Sequence, residues 1–187
     1  MRIRRTLEAV SLAAACVALP LSQSHAQVTL GVGGGVSFPT GNLSNAYTTG
    51  FNALASLGIG TMSWPVGLRI DGMFDQMSHK SGIPIGNFQI WTLNADLVYN
   101  LMHGTTFTPY IVAGAGYYND SYRIGVSSGG GIGAGGNTHA NDFGLNGGVG
   151  VRAGAPSLSV FLEGRFHYVF TSGNHLDFIP ITAGITF

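Results

Sequence analysis

Cysteine is almost missing: Cys16 is the only one in 187 residues. It lies in an N-terminal stretch with the marks of an export signal. Arg2, Arg4 and Arg5 are basic, residues 9–21 are almost wholly apolar, and Ser24-His25-Ala26 is a small-x-small cleavage site. The apolar run is too short to span a bilayer comfortably. Ala13-Ala14-Ala15 before Cys16 makes a poor lipobox, and Arg4-Arg5 alone is a weak sign of twin-arginine export. A cleaved Sec-type signal over residues 1–26 is expected, with residues 27–187 as the mature domain. That domain then has no disulfide, no thiolate nucleophile and no cysteine-based metal site.

Charge is scarce too. Charged residues make up 9% of the chain, against about 25% in soluble domains. Three Arg and Glu8 leave with the signal, so 8 basic residues become 5 and 8 acidic become 7, a net charge of −2 with His neutral. No basic surface remains for nucleic acid. Long apolar runs are also lacking: after residue 26 nothing reaches the ~20 residues of a spanning helix.

What is present is alternation with period two. In the last ten residues, FIPITAGITF, the residues Ile179, Ile181, Ala183, Ile185 and Phe187 share one face. Seven further stretches alternate likewise, predicting strands over 28–38, 51–61, 66–74, 89–100, 106–118, 142–153 and 158–170. Each is near the ~9–11 residues that a tilted strand needs to cross a bilayer. Asp142 at the very start of one strand aside, six charged residues fall inside these strands: Arg69, Asp71, Asp96, Arg152, Glu163 and Arg165. All six lie on the face opposite the apolar set, which strict alternation would give by chance about one time in sixty. One face of the sheet therefore carries no charge.

The connections near 62–65, 102–105 and 154–157 are tight, and those at 39–50, 75–88, 119–141 and 171–177 are longer. Short turns on one side and long loops on the other is the outer-membrane pattern, with the turns and both termini periplasmic. Outward aromatics gather near the long-loop ends, among them Phe51, Phe74, Trp91 and Phe143, with Tyr99, Phe107, Phe187 and Trp64 near the turns. Two aromatic belts are expected where rings meet lipid headgroups. The expected fold is a closed antiparallel eight-stranded transmembrane β-barrel in a bacterial outer membrane. A soluble barrel of lipocalin type would put its charges outside and its apolar residues inside.

With FTPYIVAGAGYY (107–118), FGLNGGVGVRAG (143–154), LSVFLEGRFHYVF (158–170) and the terminal FIPITAGITF, the chain resembles the small eight-stranded outer-membrane barrels of the OmpA and OmpX type. The resemblance covers residues 27–187. It implies that Phe187 and Ile185 form a C-terminal signal for the barrel-assembly machinery, with Ile185 standing where Tyr is commoner. It also implies outer-membrane lipid as the surroundings.

The six inward charges are expected to cancel as a lumen network with Asn94 and Asn146, since an eight-stranded barrel has room for side chains and little else. The alternative is a narrow, porin-like ion path. Glu163, Arg165 and His167 all point inward, and a Glu with a His invites a hydrolase reading. The lipid A 3-O-deacylases are eight-stranded barrels with a His-x-Ser motif, but Val169 stands two residues after His167. No catalytic, cofactor or metal residue is therefore assigned. A G-x-G-x-x-G run at 131–136 sits between two strands, not in a βαβ unit, and is coincidental. Asp75, His79 and Lys80, and His139 and Asp142, lack ligand spacing and read as solvated loop residues. The expected role is non-enzymatic, structural or at the cell surface, with no cofactor, no nucleic-acid partner and no external ligand named.

Overall fold

The computed structural model describes residues 26–61, 65–80, 88–102, 106–123, 137–155, 157–172 and 174–187. Residues 1–25 of the signal expected over 1–26, Trp64 and the glycine run at 131–136 lie outside them. Eight strands follow in order: β1 Ala26–Thr40, β2 Gly50–Thr61, β3 Val66–Met77, β4 Phe88–Asn100, β5 Phe107–Arg123, β6 Asn137–Ala155, β7 Leu158–Thr171 and β8 Asn174–Thr186. A short helix, α1 (Leu43–Ala46), lies between β1 and β2. Each strand pairs antiparallel with its neighbours, and β8 pairs with β1 to close the barrel. Closure leaves no open edge. Phe187 completes the seam: its N–H donates to Leu30 at 2.8 Å, and Leu30 N–H donates back at 2.7 Å.

The barrel is inside out relative to a soluble one. Phe143 is 72% exposed and Leu68 62%, whereas Asp71 is fully buried and Arg165 is 2% exposed. Outward side chains form a continuous apolar belt, which water would not tolerate at this size and lipid accepts. The soluble-barrel alternative is thereby excluded. Outward rings touch in a girdle toward the long-loop end: Phe51 with Phe74, Phe74 with Trp91, and Tyr117 with Phe143, at 5.9, 4.7 and 5.7 Å between centroids.

Three expectations need correction. Several strands run past their predicted ends, most of all β5 to Arg123 and β6 from Asn137. Beyond the apolar belt a strand needs no apolar face, so DSYR and NTHAND pair without the alternation that betrays a strand in lipid. The connection predicted long at 171–177 is short: Thr171 pairs directly with Asn174. Asp75 is no solvated loop residue. It sits in β3, fully buried, on the inner face two residues beyond Met73.

The long-loop end also carries an acid on the outer face. Asp177 pairs across from Tyr168 and Thr40. His175 Nε2 lies 3.3 Å from its carboxylate, and the His175 ring stacks on Tyr168 at 5.1 Å. The charge-free face thus holds only within the apolar belt.

Candidate functional site: a filled lumen

At mid-height the inward face of β7 offers Glu163, Arg165 and His167, one residue apart in the pleat. Gly148 on β6 is opposite Arg165, and a Cβ there would meet Arg165 Cγ at 3.0 Å and backbone atoms closer still. Glycine at that position lets the arginine leave the wall and cross the lumen. Its guanidinium binds three carboxylates from three strands: Nη1 donates to Asp96 at 2.9 Å, Nη2 to Asp71, and Nε to Glu163. Arg69 grips Glu163 with two parallel bonds, at 2.9 and 3.1 Å, the strong fork geometry of an arginine–carboxylate pair. Arg69 Nε is also 3.1 Å from Asp71 Oδ1, an ion pair whose angle is too poor for a hydrogen bond. Asn146 donates to Asp96 at 2.8 Å.

Five of the six predicted charges therefore meet: Arg69, Asp71, Asp96, Glu163 and Arg165. Arg152 does not join them. It sits nearer the Phe187 end, its guanidinium over the Tyr110 ring at 5.4 Å from the centroid, with no ion pair among the described residues. The network then holds two cations and three carboxylates, not a cancelling set of six. Asn94, expected in the network, is buried beside it with neither amide atom hydrogen-bonded among the described residues.

Nearer the long loops, a second polar chain crosses four strands. Ser37 donates to Asp75, Asn52 donates to Ser37 at 3.2 Å, and Thr182 donates to Asn52 at 2.9 Å. It does not stand out in the sequence because Asp75 falls past the predicted end of β3 at residue 74, and Ser37, Asn52 and Thr182 carry no charge. Ser37 and Asn52 alternate with the apolar sets of β1 and β2, so a search for inward polar residues of any kind would have found both. His167 is fully buried, stacked on Phe178 at 4.7 Å and hydrogen-bonded to Tyr118 at 2.8 Å.

Above these polar layers lies an apolar cap. Leu43 and Tyr47 reach in from the segment between β1 and β2 and meet Met77, Phe88, Ile90, Tyr118, Val169 and Phe178. The segment is clasped to the next loop. Thr48 N–H donates to Ser78 at 2.8 Å, Lys80 N–H to Ala46 at 3.0 Å, and Lys80 Nζ to Ser44 at 2.6 Å. Val169, standing where a hydrolase serine would be needed, is part of this cap. His167 is sealed beneath it. Among the described residues no group of three His, Cys, Asp or Glu is placed to hold a metal.

A closed eight-stranded barrel with a lipid-compatible exterior and a packed, ion-paired interior defines a small transmembrane β-barrel with a filled lumen. Solved structures of that kind are similar to it. Neisserial surface protein A (NspA) is 15% identical, with a TM-score of 0.66 over 87% of this chain and 98% of that one. A major outer-membrane protein of Thermus thermophilus is 14% identical, with a TM-score of 0.62 over 88% and 99%. The N-terminal β-barrel domain of Pseudomonas aeruginosa OprF is 13% identical, with a TM-score of 0.53 over 87% and 99%. The chain thus has the fold of the small OmpA/OmpX-like barrels. No family model matches the sequence, and no curated protein sequence does either.

Proposed function

We propose that the protein is a non-enzymatic integral barrel of a bacterial outer membrane, with a structural or surface-interaction role and no open pore. The observation that carries this reading is the Arg165 guanidinium bound to Asp71, Asp96 and Glu163 across the lumen. A buried charge held by three partners is costly to free, and the apolar cap closes the same path a second time. In this reading the Phe187 end is periplasmic and the long loops face outward. The short connections at the Phe187 end support that orientation, and Trp91 and Tyr117 in the ring girdle suit a headgroup level. One structural neighbour is itself called a surface protein. Lipid surrounds the belt, and the assembly machinery engages Ile185 and Phe187.

Single-channel recording on protein reconstituted in planar bilayers tests the closed lumen. The expected trace has no steady conductance. A stable open level would favour the narrow-porin alternative instead. Outer-membrane fractionation with heat-modifiable gel migration tests the location.

A further inference from the structure

The lumen is not filled to its Phe187 end. A cavity of about 80 Å³ remains there, walled by Arg152, Arg69, Tyr110, Ser56, Thr29 and Phe161. At roughly 10–15 Å³ for each water, that is room for a handful of waters or one small polyatomic ion. Two arginines line the cavity and no carboxylate does. Arg69 is already spoken for by Glu163 and Asp71. Arg152 has only the face of Tyr110, and its Nε is buried with no hydrogen-bond partner among the described residues. The connections at this end, 62–65, 101–106 and 156–157, contain no Asp or Glu that could reach in to serve it. Hydroxyls of Thr29 and Ser56 supply further polar groups, while the Tyr110 hydroxyl faces Glu163.

The arrangement of Arg152 is also built. Gly150 lies two residues before it on the same inward face, and a Cβ at Gly150 would collide with the Tyr110 ring. The glycine lets that ring lie flat along β6, and the flat ring carries the guanidinium. Arg152 as a whole is only partly buried, but a buried N–H donor without a partner is unfavourable. A planar guanidinium presents a donor fork that matches tetrahedral and planar oxyanions. We infer that this cavity is a binding site for one small oxyanion of the phosphate class, held by Arg152 with the neighbouring hydroxyls. The anion is either free phosphate or the phosphate of a lipid headgroup.

The probe is inorganic phosphate, added to the full barrel domain refolded in a maltoside detergent that has no phosphate group. The readout is the ¹⁵N–¹H resonance of Arg152 Nε, with chloride at equal ionic strength as the control. A saturable shift with phosphate and none with chloride is expected. Arg152→Gln should weaken the same binding, followed by calorimetry, at least tenfold, whereas Lys80→Gln at the far end should leave it unchanged. A second arm uses nanodiscs of phosphatidylglycerol. An Arg152 shift seen only there assigns the site to a headgroup. No shift in either arm overturns the proposal, and so does binding that survives Arg152→Gln. The wild-type measurement decides even if the variant fails to fold.

Discussion

Replacing Arg165 with Leu takes the cation whose guanidinium bonds to all three carboxylates of the network. Asp71, Asp96 and Glu163 would keep only Arg69, which holds Glu163 in a fork at 2.9 and 3.1 Å, lies 3.1 Å from Asp71 in poor geometry, and reaches Asp96 only at 3.9 Å. Breaking a buried ion pair on one side costs about 3–5 kcal/mol, mostly for the charge left behind. At ~1.4 kcal/mol per tenfold, that is roughly two to three and a half orders of magnitude in the folding equilibrium. With a urea slope of ~2 kcal/mol per molar, the unfolding midpoint should fall by about 2 M. Tryptophan fluorescence of protein refolded in lipid vesicles follows the transition, with heat-modifiable migration as a second probe. Adding Asp71→Asn to Arg165→Leu removes one stranded carboxylate and should recover part of the loss, a non-additivity expected of residues in one network. An unchanged midpoint in Arg165→Leu would refute the network. So would a double variant no more stable than the single one.

Other expectations follow from the same structure. Deleting Phe187 removes the paired bonds to Leu30 that finish the β1–β8 seam, so the yield of heat-modifiable, inserted barrel should drop; normal insertion would undercut the role given to this residue. Gly150→Val should drive the Tyr110 ring off β6 and cost about 1–3 kcal/mol through overpacking; a calorimetric transition at the wild-type temperature would show that the ring is not held there. Tyr47, in the loop segment of the cap, has its pKa raised, first by burial and then by the charge of Asp120. Its contribution to stability is present below the ordinary phenol value of about 10 and is lost as pH rises through its higher folded value. A difference titration at 295 nm between wild type and Tyr47→Phe checks this, and ionisation at or below about 10 would contradict it.

Much of the barrel is legible before any coordinates. Alternation in eight stretches gives the strands within the apolar belt, because lipid demands an apolar face of period two. The inward parity of Arg69, Asp71, Asp96, Glu163 and Arg165 follows from the pleat alone. Beyond the belt the signal fades: β5 and β6 continue as polar ladders that read as loop, and Thr171 pairs with Asn174 where a long connection is predicted. Parity places a side chain inside but not at a height or toward a partner. Arg152 therefore looks like a sixth member of the network until Gly150 and Tyr110 draw it into another layer.

By itself, then, the sequence determined the strand count, the lipid-facing side and the set of residues that must share the lumen, since these depend only on local periodicity and on what a bilayer accepts. Tertiary structure alone decided who meets whom. The joining of Arg165 to three carboxylates, the sealing of the mouth by Leu43 and Tyr47, and the solitary position of Arg152 above its cavity all depend on register between strands far apart in the chain. Register is a property of the closed ring, fixed only when β8 meets β1.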